Sequence, residues 1–98
     1  MGKAENYVEQ YLKKQAEKKG FLVYKFVSPG NNGVPDRILI GHGKTIFVET
    51  KAPKAKARAL QIAVHKLMQK HGADVRLIDT REKVDEFLAY FEKIKEIK

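Results

Sequence analysis

Cysteine is absent from the chain, which excludes disulfide staples, zinc sites built on thiolates and a cysteine nucleophile. Long apolar stretches are absent too. The longest uninterrupted run, Phe87 to Phe91, falls far short of the roughly 20 residues a membrane span needs. The N-terminus opens with alternating Lys and Glu instead of an apolar segment, so no secretory signal is visible and a soluble intracellular protein is expected. Three histidines (His42, His65 and His71) lack the close pairing of a metal motif such as HExxH. Acidic residues are scarce: twelve Asp and Glu stand against twenty Lys and Arg, giving a formal charge of +8.

What remains is a folding composition with a basic surplus. Hydrophobic residues at 43% and charged residues at 33% are too apolar for disorder. Ninety-eight residues supply one hydrophobic core, so a single domain over residues 1–98 is expected. The surplus of cations favours a polyanionic partner, and phosphate backbones are the commonest one. Charge alone is equally compatible with a basic protein that meets no nucleic acid.

Periodicity assigns the elements. Ala4, Tyr7, Val8, Tyr11, Leu12 and Ala16 recur at helical spacing, and Gly20 follows as a left-handed cap. Phe21–Val27 is aromatic and β-branched and reads as a strand. Ser28–Pro35 is a loop made of turn-forming residues. Asp36–Ile40 and Thr45–Lys51 read as a hairpin around Gly41–Lys44, and Ala52–Ala57 as an exposed basic loop. Leu60, Ala63, Val64, Leu67 and Met68 restore the helical period up to Gly72. A strand over Asp74–Asp79 and a helix carrying Val84, Phe87, Leu88, Phe91 and Ile94 complete an α-β-β-β-α-β-α order.

The hairpin brings two carboxylates together. If Ile40 pairs with Thr45, counting outward sets Ile38 opposite Phe47 and Asp36 opposite Glu49, with Cβ atoms about 5 Å apart on one sheet face. Alternation places Lys51 on that face as well. Like charges directly opposed destabilise a hairpin unless compensated. Lys51 supplies part of the compensation, and a divalent cation such as Mg²⁺ or Mn²⁺, which suits hard oxygen ligands, would supply more. A solvated strand end with an ordinary ion pair fits the same spacing. On the first helix, Glu5 and Glu9 lie along one edge of the apolar face, where either overlooks the sheet or merely flanks the core.

Gly33-Val34-Pro35-Asp36 followed by Glu49-Thr50-Lys51 on the adjacent strand matches the PD-(D/E)xK nuclease pattern. With Tyr24-Lys25-Phe26-Val27-Ser28-Pro29-Gly30 ahead of it, Phe47-Val48-Glu49 within it and Gln61 after it, the chain resembles the VRR-Nuc (virus-type replication-repair nuclease) family. The resemblance is to its small stand-alone phage type and runs from about Glu5 to Phe87. It implies an α/β restriction-endonuclease-like core with a central mixed sheet flanked by helices.

The resemblance also implies roles. Asp36 and Glu49 would bind the metal, Mg²⁺ or its Mn²⁺ substitute, and Lys51 would be the catalytic lysine. Thr50 would offer its backbone carbonyl to the metal. The helix-one acid maps onto Glu9, with Glu5 as second choice, and Gln61 takes a supporting polar role. Lys25, Ser28, Arg37, Lys54, Lys56 and Arg58 would contact DNA backbone without reading sequence. The implied activity is structure-selective, metal-dependent cleavage of branched DNA, four-way (Holliday) junctions first, by a cytoplasmic homodimer (in the host cytoplasm if phage-encoded). A flap or nicking nuclease of phage replication or packaging, and a non-catalytic nucleic-acid-binding module on the same fold, are the alternatives. Phe87, Leu88, Tyr90, Phe91, Ile94 and Ile97, with Tyr7 and Tyr11, are the candidate dimer surface.

Overall fold

The computed structural model describes residues 3–51 and 58–97, and side chains from Tyr7 to Lys51 and from Arg58 to Phe91. Seven elements follow one another: α1 (Lys3–Lys18), β1 (Leu22–Lys25), β2 (Arg37–Gly41), β3 (Lys44–Thr50), α2 (Ala59–Lys70), β4 (Asp74–Ile78) and α3 (Arg81–Ile97). The four strands form one mixed sheet in the order β1-β2-β3-β4, antiparallel except for the parallel β3–β4 pair. Parallel strands need a long crossover, and α2 lies within it.

The β2–β3 hairpin pairs Ile40 with Thr45 and Ile38 with Phe47. Its turn is tighter than the four residues the spacing predicts. Gly41 pairs with Lys44, leaving His42 (φ 55°) and Gly43 (φ 76°) as a two-residue connection. Positive φ at both central positions is the type I′ geometry that matches strand twist. Adding one pair to the ladder does not change which residues share a face, so the expected register survives the shorter loop. At β1 the aromatic run forms a shorter strand than expected, with Phe21, Phe26 and Val27 outside it.

One sheet face carries the core. Val23, Leu39, Ile46, Val48 and Ile78 meet Val8, Leu12 and Ala16 of α1 and Val84, Phe87, Leu88 and Phe91 of α3. Burying side chains of this size contributes roughly 1.5–3 kcal/mol each. Phe21 and Phe91 meet edge to face at 5.2 Å, closing the α1–β1 end of this layer. The surplus apolar surface expected on α3 is largely consumed here, because Phe87, Leu88 and Phe91 all turn inward while Tyr90 stays 55% exposed. Ile94 and Ile97 lie beyond the described side chains.

On the opposite face, α2 contacts β4 and the side chains at the end of β3. Leu22, Tyr24 and Ile40, cross-strand neighbours on β1 and β2, remain exposed on this side. No helix among the described residues is long and apolar enough to cross a membrane.

Candidate active site

The end of the β2–β3 hairpin gathers polar groups where an apolar sheet would otherwise continue. Continued one residue past its last pair, Arg37 with Val48, the register sets Asp36 level with Glu49. The Asp36 carboxylate accepts two hydrogen bonds from Thr50, one from the backbone N–H to Oδ1 at 3.3 Å and one from the hydroxyl to Oδ2 at 3.3 Å. Burial pushes its carboxyl above the usual aspartate range. The Thr50 amide opposes that rise, the negative charge of Glu9 adds to it, and the Thr50 hydroxyl and Arg37 pull it back.

Glu49 is 4% exposed, which demands partners for its carboxylate. The Lys51 ammonium lies 3.4 Å from its Oε2, and Gln61 Nε2 donates to the same oxygen at 3.3 Å. Gln61 is itself held at the start of α2, where its Oε1 accepts the Arg58 backbone N–H at 3.0 Å. Lys51 leaves the sheet immediately after β3, its N–H donating to the Ile78 carbonyl at 3.0 Å. Glu49, Lys51 and Gln61 therefore form one contiguous group, and Thr50 ties Asp36 to it.

Glu9 does not join that group. Its carboxylate is paired with the Arg37 guanidinium, both side chains being largely buried on the α1 side of the sheet. Among the described residues, no three His, Cys, Asp or Glu side chains converge on one point. The reason is strand alternation. Glu49 points toward α2, whereas Arg37 shares the α1-facing side with Leu39 and Val48 and draws Glu9 to itself. Arg37, expected as a phosphate contact, is 9% exposed and turned inward.

The other expected contacts are dispersed. Lys25 is exposed at the end of β1, Arg58 is exposed ahead of α2, and the half-buried Ser28 hydroxyl accepts Asn31 Nδ2 at 3.1 Å. Lys54 and Lys56 lie outside the described residues, as does the Glu5 side chain.

Sequence reasoning missed His65. It stands one helical turn after Gln61, on the same face of α2, and is the helix's buried residue at 7% exposure. Burial lowers its pKa below the ordinary histidine value; a hydrogen bond to the Gly33 backbone opposes this, and the nearby Lys51 ammonium reinforces it. The spacing of i and i+4 from Gln61 was the available signal.

No family model matches the chain. Over 79 residues it is 40% identical to a protein of Acyrthosiphon pisum secondary endosymbiont phage 1 named "Putative nuclease p44", a match covering 80% of this chain and 85% of that one. A solved structure described as "VRR_NUC domain" superposes with a TM-score of 0.81 at 31% identity, covering 88% of this chain and 95% of that one.

Proposed function

The chain belongs to the VRR-Nuc family, and on that premise we propose that it is a metal-dependent endonuclease cleaving branched DNA, with four-way junctions as its preferred substrate. The observation that carries this reading is the grouping of Asp36, Glu49 and Lys51 at one sheet end, in a protein of net charge +8.

The donor set suits a hard divalent cation. Asp36 and Glu49 supply two carboxylates and the Thr50 backbone a carbonyl, and Mg²⁺ is usually held by one or two carboxylates with waters and substrate phosphates. The raised proton affinity of Asp36 supports the same assignment, since a group that resists its own negative charge is relieved by a cation. When bound, Mg²⁺ or Mn²⁺ lowers the pKa of a coordinated water and polarises a phosphoryl oxygen.

The chain's own residues do the rest. Glu49 anchors Lys51, and the remaining ammonium protons of Lys51 are available to orient the attacking water and offset charge developing on the phosphate. Gln61 fixes the Glu49 carboxylate so that it does not rotate away from this task. Glu9 acts indirectly, holding Arg37 and adding negative potential beside Asp36. Hydrolysis then adds water across one P–O bond, giving a phosphate on one strand end and a hydroxyl on the other. Lys25, Arg58 and the basic stretch containing Lys54 and Lys56 are suited to backbone contacts, which position a duplex without selecting its sequence.

Symmetric resolution of a four-way junction needs two sites of matching polarity, which a two-fold homodimer supplies. The exposed Leu22, Tyr24, Ile40, Tyr7 and Tyr90 are among the apolar side chains available for it. Labelled four-way junctions, flaps, hairpins and linear duplex, incubated with and without Mg²⁺, test the reading. Paired junction cuts that require the cation are expected. Cleavage confined to flaps would reassign the substrate, and metal-dependent cutting of none of them would refute the proposal.

A further inference from the structure

The chain has four tyrosines, and three of them are engaged. Tyr7 and Tyr11 lie under the Arg81 guanidinium at 5.4 and 4.4 Å, and Tyr90 meets Phe91 edge to face at 5.2 Å. Tyr24 has no ring contact, cation or side-chain hydrogen bond among the described residues, and it is 54% exposed within β1. Alternation explains where it points. Val23 enters the core, so Leu22 and Tyr24 face the other side of the sheet, level with Ile40 and Ile38 of β2. Ile38 pairs in turn with Phe47 of β3, whose ring meets that of Phe26 at 5.2 Å. Glu49 points toward this same face, on which α2 packs chiefly against β4 and leaves the β1–β2 half bare.

The result is an apolar, partly aromatic shelf continuous with the acids. The Phe26 N–H donates to the Asp36 carbonyl at 2.9 Å, which sets Phe26 beside Asp36, and Tyr24 stands two residues earlier on the same side. With about 3.4 Å per residue and 4.8 Å between strands, the Tyr24 backbone lies about 8 Å from that of Asp36.

Charge identifies what covers the shelf. From Lys18 to Ala73 the chain carries eleven cations and two acids, and those acids are Asp36 and Glu49. The other ten acids fall on α1, β4 and α3 or between the last two. Cations thus dominate β1, β2, β3 and α2, and a surface of that sign takes a polyanion. The bases of a duplex stack on one another and offer no free plane. An exposed aromatic ring on a cationic surface instead suits an unpaired base.

We propose that Tyr24 is a stacking platform for an unpaired nucleobase next to the scissile phosphate, with Leu22, Ile38 and Phe47 as the shelf around it. This rests on the nuclease reading given above and narrows its substrate class to DNA with an unpaired nucleotide beside the cut, as at a branch point or the base of a flap. Assembly of two chains is then left to surface outside this face, such as Tyr7 on α1 and Tyr90 on α3.

The test uses metal-free protein and a short oligothymidine, so that binding is read without cleavage. The chain has no tryptophan, and Tyr24→Trp therefore installs a lone indole on the shelf, whose emission a stacked thymine quenches. Quenching by oligothymidine, and not by a long blunt duplex at the same nucleotide concentration, is expected. In anisotropy titrations with labelled oligothymidine, Tyr24→Leu should weaken binding on the order of 5–150-fold, the range for one aromatic–base stack, while Tyr24→Phe stays within about twofold of the wild type. The log–log salt slope should not change, because Tyr24 holds no phosphate. No quenching, equal quenching by the duplex, or wild-type affinity in Tyr24→Leu overturns the proposal. So does sedimentation in which Tyr24→Leu dissociates a dimer while each chain binds oligothymidine as before, which would make the shelf a subunit interface. A protein that cuts junctions with Mg²⁺ but fails these tests keeps the nuclease reading and loses the shelf. One that passes them and cuts no DNA refutes the nuclease reading and leaves Tyr24 as a base-binding residue.

Discussion

Gly30 and Gly33 share a loop and a backbone conformation, with φ of +82° and +92°, but not their surroundings. A Cβ at Gly30 meets nothing within 4 Å, whereas one at Gly33 meets Val64 Cγ2 at 3.0 Å and the Leu60 Cγ and carbonyl oxygen at 3.2 Å. Gly30→Ala therefore costs only the strain of a side chain at positive φ, about 1–2 kcal/mol. Gly33→Ala carries the same strain plus overpacking against α2, about 1–3 kcal/mol more. For a domain of this size each kcal/mol shifts Tm by about 4–8 °C, so Gly33→Ala should melt at least about 4 °C below Gly30→Ala. Of the two Leu60 contacts, the one to the carbonyl oxygen is backbone, which cannot rotate aside, so the loop itself must move. Asp36 lies three residues further along that loop. Metal-dependent cleavage should fall more in Gly33→Ala than in Gly30→Ala at a temperature where both are folded. Thermal melts by circular dichroism with parallel cleavage assays decide the matter. Equal melting temperatures, or an undiminished cleavage rate in Gly33→Ala, would refute the idea that α2 seats the loop carrying Asp36.

Three further outcomes are expected. Asp36→Asn should abolish cleavage while raising the melting temperature of the metal-free protein at neutral pH; because burial raises the folded-state pKa of Asp36, its unfavourable contribution is present above that pKa and disappears as pH falls toward the ordinary aspartate value, so the gain should vanish in acid. Arg37→Ala leaves the Glu9 carboxylate without its cation in a largely buried site and should destabilise the fold by about 3–5 kcal/mol in urea titrations, whereas Arg58→Ala on the surface should change stability little. Neutralising Lys54, Lys56 and Arg58 together should weaken binding to every DNA substrate alike and reduce the log–log salt slope by about 0.9 for every phosphate deprived of its cation, while an unchanged slope would assign them to solvent.

The hairpin shows why much of this site was legible in the sequence. Side-chain period is two, and the shift from a four-residue loop to a His42–Gly43 turn extends the same ladder by one pair. The faces of Asp36, Glu49 and Lys51 follow from that register whether two or four residues close it. Gln61 was legible only through the family pattern. Glu9 illustrates the opposite case. Helical periodicity places it at the edge of the apolar face of α1, but its partner depends on how α1 docks on the sheet. Alternation puts Arg37 on the face opposite Asp36, but nothing local says that α1 docks there and brings Glu9 to it. His65 was obscured because its i+4 spacing from Gln61 is a faint signal until burial and a missing partner reinforce it.

The charges around the hairpin end distinguish one acid from the others. Glu9 has Arg37 and Glu49 has Lys51, each a carboxylate with its own cation. Asp36 has hydrogen bonds from Thr50 but no ion pair of its own among the described residues, and it is the acid whose proton affinity rises. Two explanations compete. If the arrangement served stability alone, an uncharged residue at this position would satisfy Thr50 without the burial cost of a carboxylate, because a hydroxyl can turn to donate or accept. If it serves cation binding, an uncompensated carboxylate beside two compensated ones is what the site requires: the paired acids are held in place without surrendering their positions to solvent, and the unpaired one supplies the unmet negative charge. The proposed metal-dependent cleavage calls for the second explanation at Asp36 and Glu49, and cation binding by Asp36→Asn as tight as by the wild type would return the arrangement to the first.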